Sequence, residues 1–339
     1  MLNRLLRGLL LLGVLAAVSG WALQREVQRQ LQLPLALEAP STVSLAPGQS
    51  LRGLLAALRT RGQISRQQSL AVELQARYDG RASRVQAGEY QLSPGLTGEA
   101  LIEQLVAGRV IQYSLQIIEG STAAQMLAQV RAHPQLRQTL PAALDGPELM
   151  QAIGSPIGHP EGQFFPDTYH FPGGTTDVAF LARAHQALRR QLDQAWARRQ
   201  PALPYADAEQ ALVMASIVEK ETGLASERAT IAGVFVRRLR LGMLLQTDPT
   251  VIYGLGERFD GDLRRRDLLA DTPYNTYTRR GLPPTPICLP GAAALQAAVQ
   301  PADGESLYFV SRGDGSHVFS ATLEEHNAAV RRYQLGQGG

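Results

Sequence analysis

The chain has 339 residues, 45% hydrophobic and 19% charged, with 33 basic against 30 acidic side chains. That length holds about two domains, and this hydrophobicity excludes disorder for the bulk of it. A net charge of +3 excludes the dense basic face of a nucleic-acid binder, so no nucleic-acid partner is expected. Cys288 is the only cysteine, which excludes an internal disulfide, a thiolate zinc cluster and a C-x-x-C redox pair. The six histidines lack ligand spacing, so no metal site and no cofactor are expected. Lys220 is the only lysine and therefore the only candidate for amine chemistry.

Residues 1–25 decide the compartment. After Arg4 and Arg7, residues 8–23 carry no charge and end near Trp21. As a helix this stretch spans roughly 24 Å, a marginal fit to a ~30 Å hydrocarbon core. The flanking arginines predict a cytoplasmic tip and a single transmembrane anchor in residues 1–25. A cleaved signal peptide, with a small-residue site at Ala17-Val18-Ser19, is the competing reading. Both export the rest of the chain, which in a bacterium puts it outside the inner (cytoplasmic) membrane, at the cell wall.

Residues 26–40 read as an extended stalk, broken by Pro34 and Pro40. A repeat follows at a constant offset: Pro47/Pro94, Gly48/Gly95, Ser50/Thr97, Leu54/Leu101 and Leu58/Leu105. Each copy predicts a Pro-Gly turn, a Ser/Thr N-cap and a helix with leucines on one face. Residues 87–92 and 110–118 alternate or are β-branched, as strands are. Residues 41–115 thus form a small α+β subdomain. Its pattern is similar to LysM-type carbohydrate-binding modules, although a plain packing domain accounts for it equally well.

Residues 116–339 make the larger domain. The turn at 117–122 ends in Ser121 or Thr122, either able to cap the next helix, and further helices are expected near 177–200, 206–222, 226–241 and 322–334. The second of these runs apolar through ALVMASIV before Glu219-Lys220-Glu221. A glutamate ending such a run is partly desolvated, which raises its pKa towards the range of a general acid. Glu219 and Glu221 lie about 200° apart on a helix, so they cannot both face one cleft, and periodicity does not choose between them. Two segments read as loops: 244–256, with Gln246, Thr247, Asp248 and Tyr253, and 271–291, with Tyr274, Asn275 and Tyr277 among prolines. Tyrosines and amides on rigid loops suit sugar rings.

Six segments, EGST (119–122), PEGQFFPDTYHFPGGTT (160–176), MASIVEKETG (214–223), RLRLGMLLQTDPTVIYGLG (238–256), PYNTYTRRGLPPTPICLPG (273–291) and LYFVSRGDGSHVFSATLEEHN (307–327), carry a resemblance. In order and spacing the chain resembles the YceG-like family of endolytic murein transglycosylases over nearly its whole length. The resemblance implies a single-pass inner-membrane protein with a periplasmic catalytic domain that cuts nascent peptidoglycan strands, leaving 1,6-anhydro-N-acetylmuramic acid ends. It implies Glu219 as the catalytic acid, with Glu221 as the fallback. Gln246, Thr247, Asp248, Tyr253, Tyr274, Asn275 and Tyr277 would bind glycan or orient the acid, and Glu161, Phe165 and Asp167 would form a second wall. Peptidoglycan synthases are the protein partners it implies. The expected architecture is α+β: an N-terminal transmembrane helix, a LysM-like subdomain and a larger mixed α/β catalytic domain. Three rivals remain: a non-catalytic glycan-binding scaffold, a pyridoxal-phosphate lyase using Lys220, and a hydrolase with Asp248 as second carboxylate.

Overall fold

A computed structural model describes residues 2–144 and 146–334. Met1, at the expected cytoplasmic tip, and residues 145 and 335–339 of the expected catalytic domain lie outside them. The chain divides into two compact units, residues 1–113 with 170–174, and 114–169 with 175–339.

The first unit opens with α1 (Leu2–Gln32), 31 residues long. At about 1.5 Å per residue such a helix exceeds a bilayer core. Among the described residues it is the one helix long and apolar enough to cross a membrane, within Leu6–Gln32, where an 18-residue stretch reaches a mean hydropathy of 1.8. The extended stalk is corrected here. Residues 24–32 are helical, and Leu31, Leu35 and Leu37 are buried in the core of this unit. Pro34 stops the helix, and the Gln68 amide donates to the Leu33 and Pro34 carbonyls.

Next come β1 (Ser41–Leu45), α2 (Leu51–Thr60), α3 (Arg66–Tyr78), β2 (Gly88–Leu92) and α4 (Gly98–Val106). Strands β1 and β2 pair antiparallel, from Ser41↔Leu92 to Leu45↔Gly88. Each copy of the repeat is therefore strand, turn, helix. Gly48 and Gly95 both turn with positive φ, at 81° and 86°, a region that L side chains rarely adopt. Ser50 and Thr97 accept the Gly53 and Ala100 N–H groups and cap α2 and α4. The equivalent leucines Leu54, Leu101, Leu58 and Leu105 are all fully buried. Helix α3 was not anticipated, because it buries the small residues Ala71, Val72 and Ala76; its sequence signal is the Ser65/Gln68 capping box.

Strand β3 (Gln112–Gln116), α5 (Ala123–Ala132), α6 (Gly146–Ala152) and β4 (Thr168–Pro172) follow. Strands β3 and β4 form a two-stranded sheet, and the boundaries between the units fall inside them. The rest of the second unit is α7 (Asp177–Ala197), α8 (Ala208–Glu221), α9 (Arg228–Arg240), α10 (Asp248–Leu255), α11 (Arg265–Leu269), α12 (Ala292–Val299), β5 (Tyr308–Ser311), β6 (His317–Ser320) and α13 (Leu323–Tyr333). Helix α10 corrects the reading of 244–256 as a loop: Pro249 sits in its first turn, where a missing N–H costs nothing. The architecture is mixed α+β with small two-stranded sheets.

Helix α8 is the axis of this unit. Residues Ala211 to Val218 are all buried, under α7, α9 and α12. Alanines at 294, 297 and 298 let α12 approach closely. Ser216 ties α8 to the proline-rich segment, accepting the Ile287 N–H at 3.0 Å. The buried helix delivers its C-terminal glutamates to the edge of the core.

Candidate active site

Helix geometry sends the two glutamates of α8 to different surroundings. Glu219 Oε2 accepts the Gly291 N–H at 2.9 Å, and Arg228 Nη2 lies 3.6 Å from its Oε1. The Glu119 side chain packs against Gly291, where an added Cβ would come within 2.0 Å of its Oε1. Burial raises the Glu219 pKa first, and the Gly291 N–H opposes it; Glu119 raises it further, while Arg228 and Lys220 lower it. Lys220 Nζ donates to the Gly120 carbonyl at 3.2 Å. This is a small polar cluster in which Arg228 Nε is buried without a hydrogen-bond partner.

Glu221 lines a cavity of about 510 Å³ instead. The residue as a whole is half-buried, but its carboxyl lies deep among protein atoms, and that surrounding sets its proton affinity. Burial pushes its pKa up to about 7, against the opposing hydrogen bond from the Thr247 hydroxyl; the neighbouring Asp248 charge raises it further, and His317 and Arg238 lower it. Gln246, Asp248 and Tyr277 line the same cavity, and the Tyr277 hydroxyl donates to Asp248. Gln246 holds a φ of 51°, uncommon for a residue with a Cβ. Its N–H donates to the Thr276 carbonyl and Thr247 N–H to the Thr276 hydroxyl, so the two candidate segments are laced together at the cavity wall.

The remaining candidates lie elsewhere in the unit. Tyr253 donates to Glu161 Oε2 at 3.2 Å and meets the Tyr274 ring edge-on. Glu161 also accepts the Ala123 N–H, and burial pushes its pKa up to about 7. Phe165 packs on the hydrophobic core, and Asp167 is exposed. Asn275 is buried, its amide donating to the carbonyls of Asp267, Leu268 and Ala270 while its carbonyl accepts the Tyr277 N–H. It shapes the loop and offers nothing to a ligand.

Arg238, Tyr308, His317 and His326 are among the cavity residues that escaped the sequence reading. His317 is held by Glu227, through its backbone N–H at 3.0 Å and Nδ1 at 2.7 Å. The only sequence signal for these four is that they fall within two of the matched segments, 238–256 and 307–327, at positions that carry no assigned role.

The YceG-like family model matches residues 43–332, and the chain belongs to that family. The endolytic murein transglycosylase of Bacillus subtilis (strain 168) is 30% identical over 317 residues, covering 88% of this chain and 87% of its own. The protein of that name from Streptococcus pneumoniae serotype 2 is 25% identical over 324 residues; the alignment takes in 86% of this chain but 58% of the pneumococcal one. A solved YceG-like protein from Listeria monocytogenes superimposes with a TM-score of 0.54 at 30% identity, over 86% of this chain and 99% of that one.

Proposed function

We propose that this protein is an endolytic peptidoglycan lytic transglycosylase, a lyase, in which Glu221 acts as general acid and then as general base. The observation that carries the reading is the Glu221 carboxyl, held by the Thr247 hydroxyl at the wall of a cavity of about 510 Å³, where burial raises its proton affinity. The names of the relatives supply the substrate. This reading takes the fallback Glu221 as the acid in place of Glu219, to which the motifs point; it is supported by Glu221 lining the cavity, while Glu219 does not and instead accepts from Gly291 beside Arg228.

Near neutral pH a large share of Glu221 carries its proton and gives it to the glycosidic oxygen of the N-acetylmuramic acid–N-acetylglucosamine bond. The 2-acetamido group assists at the anomeric carbon as the leaving sugar departs. The 6-hydroxyl of the same ring then attacks that carbon, and ionised Glu221 takes its proton. No water is consumed, the product carries a 1,6-anhydro ring, and Glu221 ends protonated as it began. Thr247 orients the carboxyl, while Gln246, Asp248 and Tyr277 present hydrogen-bonding groups to the sugar.

Asp248 supports a second reading. It shares the cavity with Glu221, and as a second carboxylate it would let a water replace the 6-hydroxyl, making the enzyme a hydrolase. Mass spectrometry of products from uncrosslinked strands decides: anhydro ends support the lyase, and products one water heavier support the hydrolase. No cleavage at all would leave a glycan-binding scaffold.

In this reading α1 anchors the chain, with Arg4 and Arg7 on the cytoplasmic side and the residues after the membrane span outside. The repeat-bearing unit holds glycan in the manner of a LysM module, and peptidoglycan synthases deliver the nascent strand.

A further inference from the structure

We propose that Arg238 is the receptor for a carboxylate on the substrate, so that the cavity seats the strand by the charge borne on its N-acetylmuramic acid unit, at the lactyl group or at its stem peptide. The inference rests on the peptidoglycan reading above and adds a recognition element to the same site. Arg238 lines the cavity and is buried, 7% exposed, on α9. Its Nε donates to the Leu307 carbonyl at 2.6 Å, and Nη1 to the Leu245 and Leu244 carbonyls at 2.6 and 3.4 Å. The guanidinium also stacks over the Tyr308 ring at 5.2 Å. These bonds fix the fork and leave Nη2 as a donor.

What the fork lacks is an anion. Among the described residues no carboxylate lies within salt-bridge distance of Arg238, although Glu221 is near enough to feel its charge. A buried charge without a counterion is costly, and a structural brace between carbonyls does not need one. The other acids around the cavity do not serve. Glu227 is bound to His317, Asp248 accepts from Tyr277, and Glu221 is the proton donor of the reaction. Tyr308 and His326, stacked at 5.3 Å, form an apolar-aromatic wall beside the guanidinium that suits a sugar face. An arginine held at Nε and Nη1 and open at Nη2 suits a charged acceptor more than a hydroxyl.

In peptidoglycan the two alternating sugars differ by the lactyl ether of N-acetylmuramic acid. That ether carries a free carboxylate on strands stripped of stem peptides; on intact strands it is amide-linked, and the nearest carboxylates belong to the peptide. The ligand chemistry is the same from either source. Recognising it fixes which sugar sits over Glu221, and therefore which of the two glycosidic bonds is cut.

Calorimetric binding to the full-length Glu221→Gln protein in detergent tests this. Its probes are stripped strands, the same strands with methyl-esterified lactyl groups, and peptide-bearing strands with free or esterified carboxyls. Esterification of the recognised group should weaken binding by about tenfold or more. The stripped pair responding identifies the lactyl group, and the peptide-bearing pair alone responding identifies the stem peptide. Adding Arg238→Gln should erase the acid-over-ester preference, and Arg238→Lys should keep part of it. Because acid and ester are compared on one protein, the result does not depend on a variant at a buried site folding well. Equal binding of acid and ester in both pairs, with a wild type that cleaves strands, overturns the proposal and leaves the function standing. A wild type that cleaves no strand overturns the function, and this inference with it.

Discussion

Replacing Glu221 by glutamine should abolish cleavage while making the protein more stable in mildly alkaline solution. The folded carboxyl has its pKa near 7 against an ordinary value of 4.5, so the folded state holds a proton that the unfolded chain releases. The stability tied to a raised carboxyl is fully present below the unfolded value and is lost as pH rises through the folded one. Over about 2.5 units at ~1.36 kcal/mol each, the loss approaches about 3 kcal/mol above about pH 8. Glutamine carries no charge and keeps an oxygen for the Thr247 hydroxyl, so the variant escapes that loss. A unit of this size gains about 2–4 °C in Tm per kcal/mol, so the variant should melt several degrees above wild type near pH 8.5 and level with it near pH 4. Scanning calorimetry of both full-length proteins in detergent measures this, with product mass spectrometry alongside. Loss of a general acid should lower turnover by at least about a hundredfold. A variant that melts no higher than wild type near pH 8.5 would show that the carboxyl is not desolvated. Retained cleavage would refute its catalytic role, whatever the melting curves show.

Four other outcomes follow from the same geometry. Glu219→Gln should keep cleavage within a few-fold of wild type, since glutamine can still accept the Gly291 N–H; a loss as deep as that of Glu221→Gln would return the acid to Glu219. The rate in wild type should fall as pH rises through about 7, because the acid must be protonated; Thr247→Val removes the bond that lowers this pKa and should move the alkaline limb up by about one unit. A limb that stays in place would mean another group titrates. Asn275→Ala removes a buried amide that braces three partly buried carbonyls and should cost about 1–3 kcal/mol in denaturant unfolding; an unchanged midpoint would show the loop needs no such brace. Gly233→Ala, favourable by helix propensity, should destabilise, because the new Cβ would meet the Ala302 carbonyl oxygen at 2.3 Å; a rise in Tm would refute that clash.

Features whose physics is local are legible in the residues alone. The apolar N-terminal stretch, the Pro-Gly turns with their Ser50 and Thr97 caps and the buried face of α8 all follow from periodicity and capping chemistry, which act over a few residues. The same periodicity also puts Glu219 and Glu221 on opposite sides of one helix. Elements whose stability comes from partners were less legible. Helix α3 buries small side chains, and α1 persists past residue 24 because Leu31 finds a core assembled from residues up to Leu105. Which glutamate meets a cavity is settled by long-range folding. That choice depends on Thr247 and Gln246 on one loop, Gly291 at the start of α12 and His317 on β6, groups that sequence spacing cannot bring together. Asn275 makes the same point in reverse: its amide looks like a sugar ligand in the sequence, and folding buries it and spends it on the loop's own backbone, its N–H groups on three carbonyls and its oxygen on the Tyr277 N–H, because a buried polar group must find its partners.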